Sequence, residues 1–365
     1  MNIFDDQRIV LTLDAGGTNF VFSALRGGEE VVDPVSLPAY ADNLDKSLKN
    51  IIVGFEEVRD KVSGNPVAIS FAFPGPADYP AGIIDNVGNL PAYAGGVALG
   101  PMLEDKFDLP VFINNDGDLF AYGEAMAGLL PEVNRTLKEK NIPKKYKNLF
   151  GVTIGTGFGG GIVINNQLAR GDNSASGEIW ITRNFEDDRL TAEEGVSIRA
   201  ILQAYRENVS DIKEELSPKD IYDIAKGNKK GDQKAAIYAF EKMGSVLGEA
   251  LANAITLIDG VMVIGGGISG AYELFMPTIM EQLNGKNIMG YGDKPLSRLV
   301  ANVYNLEDEQ SAEEFYHFES KEITVPFSNR KIPYVPETRL PIGISRLGTS
   351  EATALGAYAF ALNNL

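Results

Sequence analysis

The sequence predicts an α/β protein built from two related halves. Its 365 residues are more than one small core needs, so two domains are the natural expectation. A strand–glycine turn–strand unit occurs twice, as RIVLTLDAGGTNFVFSAL at residues 8–25 and NLFGVTIGTGFGGGIVI at 148–164. Between and after these units, short apolar runs alternate with helical periodicity, the pattern of a duplicated α/β core.

The elements follow in order. Residues 44–62 carry apolar positions at helical spacing, and PVAISFAF reads as a buried strand ending at the Pro-Gly-Pro of 74–76. LPVFINND is another strand, and LFAYGEAMAGLL the helix after it, with Asp118 as its expected N-cap. Residues 131–147 are polar and basic and read as the connector between halves. In the second half, 195–207 and 232–258 read as helices, GVMVIGGG as a strand running into a glycine turn, and AYELFMPTIMEQL as a helix. Residues 285–345 have little periodicity and read as an insertion or an elaborated edge. TSEATALGAYAFALNNL closes the chain as a small-residue helix suited to close packing on a neighbour.

Composition removes several function classes. The formal net charge of -17 disfavours binding to nucleic acid or to an anionic membrane surface. With no cysteine there is no disulfide, no thiolate nucleophile and no Cys-ligated zinc. A Ser-His-Asp triad could use only His317, which lies in a charged, irregular segment. The opening MNIFDDQR lacks the basic and apolar regions of a signal peptide, and the longest apolar run is broken by Asn253, Asp259 and glycines. A cytoplasmic location is expected.

The glycine turns carry the chemical signal. Without a Cβ, their N–H groups can converge on an anion, although any one of them alone is equally well a tight hairpin. There is no P-loop sequence. G-x-G-x-x-G occurs at Gly155, Gly157 and Gly160, where it continues into a β-run, and at Gly265, Gly267 and Gly270. The second runs from strand to helix but lacks an acidic ribose partner at the usual distance, so a dinucleotide enzyme is a distant reading. The hairpin form fits a nucleoside triphosphate better. Asp14 ends a strand beside Gly16 and Gly17, placed to hold Mg²⁺ through water, while Thr18 and Asn19 can contact phosphate oxygens.

Together these residues resemble the ROK family of sugar kinases and repressors, within the actin/hexokinase/Hsp70 superfamily. LDAGGTNF at 13–20 is similar to its first phosphate motif, and PGPADYPAGIIDNVGNLP at 74–91 to its sugar-contacting segment. INNDGDLFAYGEA at 113–125 is similar to its catalytic strand end, TIGTGFGGGIVI to its second phosphate motif, and VMVIGGGIS to its adenosine motif. The closing helix matches too, so the likeness spans nearly the whole chain outside 285–345.

The resemblance implies a two-domain actin-like ATPase (ribonuclease H-like) fold, a duplicated α/β core with an interdomain cleft. Residues 1–118 with 346–365 would form the smaller domain and 119–345 the larger. It also implies ATP and Mg²⁺ as cofactors, a hexose substrate and a homodimer. Asp116 would be the general base, although taken alone it is equally a helix-capping acid. Asn89, Asn115, Glu178 and Glu193 would contact sugar hydroxyls, with Glu194 the neighbour that could replace Glu193. Thr156 and Gly157 would contact phosphate, and Gly265, Gly266 and Gly267 would let the adenosine lie against the backbone.

One departure stands out. Where family members follow Gly-Glu with a histidine and a zinc-binding cysteine cluster, this chain reads Gly177-Glu178-Ile179-Trp180-Ile181 and then a short acidic loop, RNFEDDRLT. No zinc site is expected, and Trp180 and Ile181 would fill the space as an apolar plug. With the first strand read near Arg8, no DNA-binding helix-turn-helix is expected before it. The reading is an ATP-dependent hexose kinase acting on a glucose-like sugar at the 6-hydroxyl. The alternatives are the same chemistry on fructose, mannose or an N-acetylhexosamine, or a non-catalytic sugar sensor.

Overall fold

A computed structural model describes residues 3–75, 77–85, 87–209, 215–286 and 288–365. Pro76 of the Pro-Gly-Pro segment, Asn86 of the motif that follows it, and Asn287 lie outside the described residues. The chain divides into two compact units, Met1–Gly128 with Gly161–Gly177 and Arg346–Leu365, and Leu129–Gly160 with Glu178–Ser345. The first unit therefore runs past the expected boundary at 118, because that position lies inside an unbroken helix, and it takes in a middle segment that the sequence did not mark out.

In the first unit, β1 (Ile9–Ala15) and β2 (Asn19–Arg26) form the expected antiparallel hairpin across the Gly16-Gly17 turn. Next come β3 (Glu29–Glu30), β4 (Val35–Pro38) and α1 (Leu44–Lys61). The helix α1 begins where the Asn43 side chain accepts from the Lys46 N–H, and it buries Ile51, Phe55 and Val58 from successive turns. Strand β5 (Pro66–Ala72) runs parallel to β1, and β9 (Val111–Asn114) parallel to β5. Between them lie a small sheet of β6 (Ala77–Asp78), β7 (Ile83–Ile84) and β8 (Val97–Ala98), and α2 (Leu99–Phe107). Phe22, Phe55, Phe71 and Phe107 pack edge to face or tilted, with ring centroids 5.1–6.0 Å apart.

Helix α3 (Asp116–Met126) is capped by Asn115, not by the expected Asp118. Asn115 is in extended backbone and its Oδ1 accepts from the Gly117 N–H, so the first turn starts three residues earlier. The closing helix, α10 (Thr349–Asn364), packs on α3 as its small residues suggested. A Cβ on Gly123 would overlap the Ala352 carbonyl, and one on Gly356 the Leu119 carbonyl.

The second unit opens with α4 (Leu129–Glu139), which corrects the reading of 131–147 as a connector. Leu129, Leu130, Val133 and Leu137 form a buried stripe, hidden in the sequence by intervening charged residues. Only the stretch after it is irregular, and the Asn134 side chain bonds both backbone groups of Tyr146 to hold it.

Strands β10 (Leu149–Ile154) and β11 (Phe158–Ile164) follow, and β11 pairs antiparallel with β12 (Gln167–Leu168) in the segment that belongs to the first unit. Helices α5 (Ile198–Glu207), α6 (Pro218–Ala225) and α8 (Tyr272–Asn284) each pack on α7 (Gln233–Ile258), and β13 (Val261–Gly265) runs parallel to β10.

Residues 285–345 are not simply an insertion. They hold an exposed hairpin of β14 (Ile288–Gly290) and β15 (Lys294–Leu296), then β16 (Asn302–Asn305), α9 (Glu309–Phe315), and a second exposed hairpin of β17 (Lys321–Thr324) and β18 (Lys331–Tyr334). Strand β19 (Arg339–Ile344) then enters the main sheet between β13 and β16. Among the described residues, no helix is long and apolar enough to cross a membrane.

Candidate active site

The first unit gathers several of the expected site residues at one edge of its sheet. Asp14 of β1 is level with Ala72 of β5, and Ala72 with Asn114 of β9, so these strands end together. Asp14, Thr18 and Asn19 are exposed around the turn. The turn is tight, since a Cβ on Gly16 would lie 2.9 Å from the Asn19 carbonyl. A Cβ on Gly17 would lie 3.3 Å from Asn89 Nδ2, so the exposed Asn89 amide is brought against the glycine turn.

Asn115 and Asp116 sit where β9 passes into α3. Asn115 Nδ2 donates to the Tyr79 hydroxyl at 3.3 Å, and that hydroxyl donates to the Phe73 carbonyl at 2.9 Å. Tyr79 is a site residue the sequence reading missed; its only signal was its place between the Pro-Gly-Pro and Asn-Leu-Pro segments. Asp116 Oδ1 accepts from the Gly117 N–H at 3.0 Å.

Burial raises the Asp116 pKa above the usual aspartate value. The Gly117 N–H opposes the rise and the Asp14 carboxylate adds to it. By surface area the residue is nonetheless exposed to solvent. Glu124 and Asn114 are among the fully buried polar residues of this unit. Glu124 of α3 accepts from the Arg346 and Leu347 N–H groups at 3.0 and 3.2 Å. Asn114 Oδ1 accepts from Arg170 at 3.4 Å.

The second unit holds the other predicted residues. Thr156 is exposed in the β10–β11 turn, which the Gly155 N–H closes by donating to the Gly157 carbonyl at 2.9 Å. Glu193 comes from a 3-10 turn at Ala192–Glu194 and accepts from the Phe158 N–H at 3.0 Å. A Cβ on Gly157 would lie 2.7 Å from the same carboxylate oxygen, so Gly157 makes room for Glu193. Arg199 pairs with Glu193 at 3.2 Å and with Glu194 at 2.9 Å. Glu193 is half-buried and Glu194 is exposed. Arg199 is a second residue the sequence reading passed over.

The three adenosine-motif glycines divide their work. Gly265 is buried in β13, and Gly266 has φ +91° with a Cβ position that would overlap the Ile154 backbone. Only Gly267 faces open space.

The stretch around Glu178 corrects the apolar-plug expectation. Trp180 is 38% exposed and Ile181 60%, whereas Ile179 is buried. The 3-10 turn Ile179–Ile181 points its three side chains in different directions, so only one can pack inward. The Trp180 indole N–H instead donates to the Glu178 carboxylate. The acidic loop is closed by its backbone: Ala192 N–H to the Thr182 carbonyl at 2.7 Å and Asn184 N–H to the Leu190 carbonyl at 3.0 Å. The buried Asn184 side chain also accepts from the Glu186 N–H.

Among the described residues, no three His, Cys, Asp or Glu side chains form a group that could hold a metal ion. A single exposed carboxylate at a strand end, such as Asp14, suits Mg²⁺, which takes one or two carboxylates and completes its shell with water and substrate phosphates.

Comparison with known proteins adds to this geometry. The family model described as the ROK family matches residues 10–309. A crystal structure of glucokinase from Parabacteroides distasonis is 52% identical and superposes with a TM-score of 0.93, covering 100% of both chains. The xylose repressor of Caldicellulosiruptor bescii is 26% identical over 305 residues, 78% of this chain and 69% of the repressor. The N-acetyl-D-glucosamine kinase of Photobacterium profundum is 28% identical over 304 residues, 77% of this chain and 91% of the kinase.

Proposed function

The chain belongs to the ROK family, and from that premise we propose that it is an ATP-dependent kinase of a glucose-like hexose, transferring the γ-phosphoryl group to the 6-hydroxyl. The observation that carries this reading is the exposed Asp116, two residues beyond the end of β9, whose Asn114 is level with Asp14 through Ala72. A repressor or sugar sensor needs neither an accessible base nor an acid beside a phosphate turn.

In this reading the sugar 6-oxygen attacks the γ-phosphorus while Asp116 accepts the hydroxyl proton. The bond from the γ-phosphorus to the β–γ bridging oxygen breaks, and ADP leaves. Asn89 and Asn115 offer amides to neighbouring hydroxyls, and the Tyr79 contact fixes the Asn115 amide. Glu178 and Glu193 accept from other hydroxyls. Each Glu193 oxygen already takes one bond and keeps a second lone pair free. The tie to the Phe158 N–H favours Glu193 over Glu194 in this role.

Thr18, Asn19, Thr156 and the N–H groups at Gly16, Gly17 and Gly157 would bind phosphate oxygens. Mg²⁺, bound through Asp14 and water, would neutralise charge on the phosphates. The open face at Gly267 leaves room for the nucleoside.

The test couples ADP release to a readout over glucose, fructose, mannose and N-acetylglucosamine with Mg-ATP. Glucose should give the highest kcat/KM. Asp116→Asn should lower kcat by about 10²–10⁴-fold while leaving sugar binding intact. Sugar binding without turnover on any of the four would overturn the kinase reading in favour of a sensor, and a preference for N-acetylglucosamine would reassign the substrate.

A further inference from the structure

The Tyr79 hydroxyl joins three parts of the first unit at one point. The side chain follows β6 directly and is buried. Its hydroxyl donates to the carbonyl of Phe73, the residue before Pro74, at 2.9 Å. It accepts from Asn115 Nδ2 at 3.3 Å, where β9 passes into α3. Gly75 leaves the space that the hydroxyl fills, since a Cβ there would lie 2.9 Å from the oxygen. A phenol has one proton, and with that proton on the Phe73 carbonyl the oxygen can only accept from Asn115.

The helix cap fixes the same amide from its other end. Asn115 Oδ1 accepts from the Gly117 N–H at 2.8 Å. Both neighbours therefore agree on which end of the amide is oxygen and which is nitrogen. A backbone N–H demands an acceptor at one end, and a hydroxyl whose proton is committed demands a donor at the other. One Nδ2 proton goes to Tyr79, and the second meets no acceptor among the described residues. Asn115 is half-buried beside the exposed Asp116, so that second N–H is the donor it has left for a ligand.

We propose that Tyr79 is the positioning residue that makes Asn115 read one hexose hydroxyl as a hydrogen-bond acceptor. The choice of a hexose as ligand rests on the sugar-kinase reading; the polarity of the contact does not. A hydroxyl or a fluorine can accept this N–H, whereas a deoxygenated carbon leaves it unpaired. Calorimetry with glucose analogues altered at one carbon, from the first to the fourth, reads the contact. One carbon should show binding at least about tenfold weaker when deoxygenated, and partly restored when fluorinated. Tyr79→Phe keeps the ring and removes the hydroxyl. It should weaken glucose binding and raise the glucose KM about tenfold, with kcat and the ATP KM within about threefold of wild type. It should also shrink the gap between the deoxy and fluoro analogues. Asn115→Ser keeps a capping oxygen and lacks the amide N–H, so in that background Tyr79→Phe should weaken binding no further. Circular dichroism and a thermal melt on each variant separate a lost contact from a lost fold. Weaker glucose binding in Tyr79→Phe, in a chain that phosphorylates no sugar, would overturn the kinase reading and leave this inference standing. Turnover with a glucose KM unmoved by Tyr79→Phe would overturn this inference alone. So would a loss of equal size in the Asn115→Ser background, or the absence of any carbon at which fluorine restores binding.

Discussion

Asp116 shows how far single residues can be read. Its place after Asn-Asn in the sequence suggested a base or a cap; in the structure the cap is Asn115, and Asp116 is exposed beside it. Its raised pKa has a kinetic consequence. In the proposed reaction Asp116 must be ionised in the free enzyme, so the acid limb of kcat/KM against pH should lie above the usual aspartate range near 4. A limb at or below that range would mean that another group is titrating.

The same shift makes a small stability contribution that is present below the unfolded-state pKa and lost as pH rises through the folded one. Beside Glu178 the sequence misjudged the neighbouring side chains, since Trp180 and Ile181 are exposed. The side chain direction of Trp180 depends on a three-residue turn that no periodicity reveals. Trp180→Phe keeps the ring and removes the donor, and should raise the sugar KM by roughly tenfold, the scale of one hydrogen bond to a charged group. The ATP KM should not move. An unchanged sugar KM would show that the indole does not orient Glu178.

At the scale of elements, long periodic segments were legible and interrupted ones were not. The helices at 44–61 and 233–258 stand within a residue or two of where their apolar spacing put them. Helix α4 was missed because charged and polar residues dilute its stripe, and β19 because it is short and sits inside a region without pattern. The small residues of α10 were read correctly as a close-packing face, and the contact with α3 gives them a measurable weight. Gly356→Ala would place a methyl group into the Leu119 carbonyl, and should lower unfolding stability by about 1–3 kcal/mol through forced separation of the helices. A shift of the urea midpoint without a change in slope is the expected signature. A gain in stability, as the better helix propensity of alanine alone would give, would contradict the close contact.

The duplication was the feature of the whole molecule most visible in the sequence, and both sheets bear it. In the first unit β2 and β1 form a hairpin followed by parallel β5 and β9; in the second β11 and β10 form one followed by parallel β13 and β19. What repeats is the glycine turn between two apolar runs, a strong local signal, whereas the crossover segments have diverged beyond pattern.

The other global property is charge, and it acts on stability independently of fold. A net charge of -17 means that folding brings like charges together, so the compact state carries a self-repulsion that the expanded chain relieves. Salt shortens the reach of that repulsion, from about 30 Å at 0.01 M to about 3 Å at 1 M ionic strength. The melting temperature of dilute protein should therefore rise by a few degrees between these limits. A melting temperature that falls with sodium chloride would mean that attractive ion pairs outweigh the net repulsion in this fold.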